Sequence, residues 1–239
     1  MKDKHIRKRD PTNSSNKAVD QFLNQVAKVP PAKTGASAGR LIFGMDATAS
    51  REATWDQASH IQAEMFADTA ALGGLEIQLC YYRGFGEFSK SQWFKDSARL
   101  LKKMTSVFCL GGRTQLNRIL QHCVEEATAR KIHAVVFVGD AMEEAIDDLC
   151  HLAGKLGILN VPVFLFQEGY DPLAEQAFRQ IARLTHGAYC RFDSSSPKQL
   201  KEMLGAVAIY AAGGRKALED FSKGSGSSVQ LITQQLKKG

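Results

Sequence analysis

From residue 41 onward, short unbroken apolar runs alternate with longer stretches whose apolar residues return every three or four positions. Leu41–Met45, Ala134–Val138 and Val161–Phe166 are runs of the first kind, the pattern of strands covered on both faces. Between them, Ala58, Ile61, Met65, Thr69 and Leu72 share one helical face, and Gly73-Gly74 ends that helix. Leu75–Tyr82 alternates as a strand does, and Phe85–Phe94 suits a short antiparallel strand with turns. Ser97–Met104 reads as a short helix. A longer one begins at Thr114 and turns Leu116, Ile119, Leu120 and Cys123 inward. Residues 143–156 return as a helix. Asp171-Pro172 is a cap followed by proline at the first helical position, opening a helix to about His186. Ala188–Phe192 is a short strand. Ser196-Pro197 opens a last helix that ends near Gly213-Gly214.

Buried strands separated by helices predict an α/β fold: a three-layer, doubly wound, mostly parallel sheet with one short antiparallel edge strand. Residues 41–213 form this domain. Residues 1–40 are a basic extension and linker: polar and charged over 1–16, a possible short helix over 17–29, then Pro30-Pro31. Residues 214–239, with KGSGSS and VQLITQQLKKG, read as a flexible tail.

The net charge of +6 over 239 residues changes meaning once it is located. Residues 1–40 carry +6 and residues 214–239 carry +3, leaving −3 on residues 41–213. A nucleic-acid domain carries its positive charge on a folded face, so nucleic-acid binding through the basic tails is the weaker expectation. Five scattered cysteines without a CxxC pair argue against a disulfide framework or zinc knuckle. With no apolar signal core and no stretch of membrane-spanning length, a cytoplasmic protein is expected.

In doubly wound sheets, sites form at the carboxyl ends of strands. Three segments converge there. Asp46-Ala47-Thr48-Ala49-Ser50 follows the first strand and offers an acid and two hydroxyls. Leu110-Gly111-Gly112-Arg113-Thr114 brings a hydroxyl to the mouth of a helix. Val138-Gly139-Asp140 ends another strand in an acid. Two carboxylates and three hydroxyls are hard oxygen donors suited to Mg²⁺ or Mn²⁺, with water completing the coordination.

The three segments resemble the metal-ion-dependent adhesion site of von Willebrand factor type A domains, also called integrin I domains. That family's first loop is Asp-x-Ser-x-Ser, and Asp46-x-Thr48-x-Ser50 matches it with one Thr for Ser. Thr114 after a glycine loop and Asp140 after a central strand stand at the second and third motif positions. Gly139 precedes Asp140, whereas the family more often places the glycine after the acid. The resemblance covers about 41–213 and implies a Rossmann-like fold. It implies Ser50, Thr48 and Thr114 as direct or near ligands, with Asp46 and Asp140 binding directly or through water. It also implies a non-enzymatic role, in which an Asp or Glu of a partner protein completes the ion's coordination. Intracellular members often act beside chaperones, AAA-type ATPases or stress-response systems. Arg83 and Arg113 flank the expected metal edge and are candidates to attract the partner's acid.

Other interpretations use the same residues. Asp46, Thr48, Ser50 and Thr114 suit helix capping without metal. Asp140, with Glu143, Glu144, Asp147 and Asp148, suits an acidic exposed helix start. Asp46-x-Thr48 with Gly139-Asp140-x-x-x-Glu144 also resembles haloacid-dehalogenase-like phosphatases, in which Asp46 would be a Mg²⁺-assisted nucleophile. The aromatic residues Tyr81, Tyr82, Phe85, Phe88, Trp93 and Phe94 suit core and hairpin packing, with part of the set available to line a partner surface.

Overall fold

The computed structural model describes residues 38–193 and 197–238. The basic segment 1–37, including the expected helix at 17–29, lies outside the described residues. Six strands form one sheet: β1 (Gly39–Asp46), β2 (Leu75–Arg83), β3 (Glu87–Phe94), β4 (Ala134–Gly139), β5 (Val163–Glu168) and β6 (Ala188–Phe192). Their order is β3-β2-β1-β4-β5-β6. All neighbours are parallel except β3, which runs antiparallel to β2 at one edge.

Among the described residues, α-helices connect and cover them: α1 (Glu52–Thr69), α2 (Ser97–Thr105), α3 (Leu116–Ala129), α4 (Ile146–Ile158), α5 (Pro172–Leu184), α6 (Pro197–Ser222, broken at Gly214) and α7 (Ser227–Lys238). The strands bury both faces by alternation. Leu41, Phe43, Met45, Val136, Val138, Phe164 and Phe166 join the core shared with α1, α6 and α7. Ile42, Val135, Phe137, Val163 and Leu165 join the core beneath α3, α4 and α5. Continuous apolar runs arise because each successive residue faces a different, equally dry layer.

The expected α/β class and the antiparallel edge strand are observed. Asp171 caps α5 as its sequence suggests, accepting a hydrogen bond from the Ala174 amide at 2.6 Å. Two helix starts differ. The helix expected from Thr114 begins at Leu116, and that expected from 143 begins at Ile146. In both cases the preceding residues are held in loops by contacts between the two segments.

The C-terminus departs most from expectation. The helix from Pro197 breaks where Gly213-Gly214 predicts, at Gly214 with φ 72° and ψ −171°, but a second helical segment follows directly and runs to Ser222. Instead of a flexible tail, Ser227–Lys238 forms α7, and Val229, Ile232 and Leu236 are buried in the core. A second interaction fastens it: the Gln235 side chain accepts from the Tyr189 amide at 2.9 Å and donates to the Tyr189 carbonyl at 2.8 Å. These backbone groups lie on β6, the open edge of the sheet, where an uncovered strand invites pairing with other chains.

Candidate metal and partner-binding site at the carboxyl edge

The parallel strands β1 and β4 are adjacent, so their carboxyl ends bring Asp46 and Asp140 to one place. Asp46 ends β1 and is 1% exposed. Its Oδ1 accepts the Thr48 amide at 2.7 Å, and its Oδ2 accepts the Tyr82 hydroxyl at 3.0 Å. The first bond folds the chain back after the strand and aligns the hydroxyls that follow. The Thr48 and Ser50 side-chain oxygens are 3.3 Å apart. Ser50, which is exposed, donates to Asp140 Oδ2 at 2.9 Å. Four expected residues therefore meet: Asp46, Thr48, Ser50 and Asp140.

Thr114 is brought to the same edge but engaged differently. It is buried, and its hydroxyl oxygen accepts the Glu143 amide at 2.9 Å while its own amide donates to the Glu143 carboxylate at 3.3 Å. Among the described residues it makes no hydrogen bond to Asp46, Thr48 or Ser50. It therefore stitches the second loop to the third. Thr114 is not a helix cap, because Gln115 occupies that position without a side-chain bond. Glu144 instead supplies the anion at the start of α3, accepting the Asn117 amide at 3.0 Å. Of the acidic run after Asp140, Glu143 and Glu144 are inter-loop ties, while Asp147 and Asp148 are exposed in the first turn of α4 as an acidic helix start.

The second loop also depends on Gly112. A Cβ there would lie 1.9 Å from the Gly84 carbonyl oxygen, so no larger residue permits that approach. The Arg113 amide donates to the same Gly84 oxygen at 3.2 Å, and the Leu110 amide donates to Ala47 O at 3.0 Å. These bonds hold the 107–113 segment against the Asp46 loop.

Electrostatics distinguish the acids. Burial pushes the Asp46 carboxyl up, the nearby Asp140 charge adds to this, and the Thr48 and Tyr82 hydrogen bonds act in the opposite direction. Burial first, and then the Asp46 charge, hold the Tyr82 phenol well above its ordinary value, so it remains a donor. Arg51 was not anticipated as part of this edge. It is 1% exposed, and its guanidinium pairs with Glu168 at the end of β5, which also accepts from the Thr54 hydroxyl. Burial lowers its pKa, while Asp140 and Asp46 are the main charges favouring its cationic form. Its Nε and Nη2 have no hydrogen-bond partner. Neither role is legible in the sequence: Tyr82 belongs to a run of strand and hairpin aromatics that suits core packing, and an arginine in a first turn has the pattern of a surface residue.

Of the two flanking arginines, Arg83 is engaged. Its Nε donates to Glu87 at 2.7 Å, its Nη1 donates to the Phe108 carbonyl at 3.0 Å, and its guanidinium lies 4.1 Å from the Phe108 ring centroid. Arg113 is exposed.

Among the described residues, no group of three His, Cys, Asp or Glu side chains is placed to hold a metal ion. A cation at this edge would rely on hydroxyls beside two carboxylates. Asp46, Asp140, Thr48 and Ser50 fit that requirement as a hard, all-oxygen donor set. The five cysteines are all free. No helix among the described residues is long and apolar enough to cross a membrane.

No protein-family model matches the chain, and no curated protein matches it in sequence. Solved structures do resemble it. A von Willebrand factor type A protein from Catenulispora acidiphila aligns with a TM-score of 0.54 at 17% identity, covering 73% of this chain and 43% of that protein. The SpRpn10 VWA domain aligns with a TM-score of 0.54 at 13% identity, covering 68% of this chain and 95% of that domain. Proximal thread matrix protein 1 from the mussel byssus, with a zinc-occupied MIDAS motif, aligns with a TM-score of 0.58 at 14% identity, covering 72% of this chain and 46% of that one. The chain thus spans less than half the length of the Catenulispora and mussel proteins. Sheet order, strand directions and these likenesses define a von Willebrand factor type A fold.

Proposed function

We propose that this chain is a metal-ion-dependent protein-binding module. Asp46, Thr48, Ser50 and Asp140, with Thr114 on the adjoining loop, would hold a Mg²⁺ or Mn²⁺ ion, and an Asp or Glu from a partner protein would be a further ligand. The observation that carries this is the 2.9 Å bond from Ser50 to Asp140. Residues ninety positions apart converge at the strand ends beside a buried third donor, Asp46. The zinc-occupied MIDAS motif of the mussel protein supports a cation at the corresponding edge. When bound, the ion supplies a positive centre for an incoming carboxylate.

The chain's own residues have separate tasks. The Thr48 amide and the Tyr82 hydroxyl hold both oxygens of Asp46, which fixes the acid's orientation. The Thr114–Glu143 pair keeps the second and third loops in register. Arg51 places a fixed positive charge near two carboxylates and limits their mutual repulsion. With the family resemblance, we place the partner in a chaperone, AAA-type ATPase or stress-response assembly.

Calorimetric titration of the full chain with Mn²⁺ and Mg²⁺ tests the site. Binding that weakens about tenfold or more in Asp46→Asn and in Asp140→Asn, with circular dichroism unchanged, is expected. Absence of divalent-ion binding, or binding indifferent to both changes, would sink the proposal. A phosphatase assay on the same proteins separates the enzymatic interpretation, which requires an activity that Asp46→Asn abolishes.

A further inference from the structure

At the opposite, amino-terminal end of the strands, the last turns of α5, the start of β6 and α7 enclose a pocket of about 210 Å³. Arg179, Arg183, His186, Tyr189 and Gln235 line it, and no acidic residue does. Gly187 closes it against β5, where a Cβ would lie 1.9 Å from the Val163 carbonyl oxygen. The volume is below the roughly 300 Å³ at which drug-sized ligands are held, so the pocket suits a small occupant.

The basic groups are not consumed by their neighbours. Glu175 pairs with Arg179 at 2.8 Å and also with Arg191, so one carboxylate is divided between two guanidiniums. Arg183 is exposed and forms no ion pair among the described residues. A cation at a helix C-terminus commonly serves the last carbonyls, but amides and a hydroxyl already take them here. The Thr185 hydroxyl donates to Ile181 O at 2.9 Å, the Gly187 amide to Ala182 O at 2.9 Å, and the His186 amide to Arg183 O at 3.3 Å.

The walls are fixed before any ligand arrives, which keeps the entropic cost of binding low. The Tyr189 hydroxyl donates to Gln167 at 2.7 Å, and the Arg179 guanidinium lies 4.3 Å from the Tyr189 ring centroid. The Gln235 carboxamide is bonded to both backbone groups of Tyr189. His186 ends α5 with φ 54°, the left-handed conformation that Asn160 adopts at the end of α4, and the same pair of backward amide bonds closes both turns.

We propose that this pocket binds a phosphate group, either inorganic phosphate or the end of a small phosphate monoester. Guanidinium N–H groups of Arg183 and Arg179 donate to the phosphate oxygens, and the His186 imidazole supplies a further N–H. The site needs nothing from the metal edge.

Calorimetric titration of the full chain, without divalent ions and at an ionic strength held constant with sodium chloride, tests it. Inorganic phosphate and O-phosphoserine are the two ligands, and saturable binding of at least one is expected. Tighter binding of phosphate makes the free anion the occupant, and tighter binding of phosphoserine makes it a monoester; either order supports the site. Arg183→Gln, alone and together with His186→Asn, should weaken binding, the double variant about tenfold. Asparagine suits the left-handed position, so the double variant keeps its circular dichroism. No saturable binding of either ligand overturns the proposal. So does binding that the double variant leaves within about twofold, the result expected if phosphate instead attaches to the basic residues 1–37.

Discussion

The guanidinium of Arg51 is buried against the carboxylate of Glu168, joining the turn after β1 to the end of β5 beneath the metal edge. A cation so thoroughly removed from water depends on that carboxylate and on the fields of Asp140 and Asp46. The pair closes the gap between two strands that are not neighbours, because β4 lies between them.

Breaking the pair from one side should therefore be costly. Arg51→Met leaves Glu168 without its cation and is expected to lower stability by about 3 kcal/mol. The double change Arg51→Met, Glu168→Gln is expected to recover a large part of that loss. Urea denaturation of the single and double variants measures the coupling. Equal losses in both would show that the pair contributes little.

Tyr82→Phe removes only the hydroxyl that donates to Asp46. Stability should fall by about 1 kcal/mol, and Mn²⁺ affinity should fall roughly tenfold because one oxygen of the acid loses its orienting bond. Unchanged affinity in a folded variant would mean that the Thr48 amide alone positions Asp46.

Asp68, half-buried on α1 and facing Gly205 of α6, has its carboxyl pushed up to about 6 by burial and then by Glu64, with Lys201 opposing. For an acid whose folded value is raised, the stabilisation is complete below its unfolded value near 3.8 and is lost as pH rises through about 6. Asp68→Asn should remove this fall, worth roughly 1 kcal/mol after solvent screening. Denaturation midpoints between those two pH values, compared with the unaltered chain, decide the matter.

Removing residues 223–239 strips Val229, Ile232 and Leu236 from the core and uncovers the β6 edge at Tyr189. Stability should drop by roughly 5 kcal/mol, with concentration-dependent association through the open strand. Gln235→Ala is the milder probe and should promote association with a smaller loss of stability. A truncated chain as stable and monomeric as the full one, by calorimetry and light scattering, would contradict this role for α7.

Gly112→Ala tests the contact between the second loop and the β2 turn. The clash with the Gly84 oxygen should cost about 2 kcal/mol or more and weaken Mn²⁺ binding by displacing Thr114. Titration beside thermal melting separates the two effects.

Local chemistry settled much of this fold. Leu41–Met45 and Ala134–Val138 read as strands because each residue of a doubly covered strand must be apolar, and Asp171-Pro172 marked a helix start because capping involves residues only three positions apart. The donor-bearing loops were equally visible, since strands of that kind end where a polar residue first appears. By itself the sequence determined the strands and helices within 41–213 and which oxygen donors follow the strands. Only the tertiary structure decided that Ser50 meets Asp140, that Thr114 turns to Glu143, that Arg51 is internal, and that 227–238 packs as a helix over β6. Those outcomes rest on burial and pairing between residues far apart in the chain, and the polarity and periodicity of a short segment carry no information about which distant partner will remove it from water.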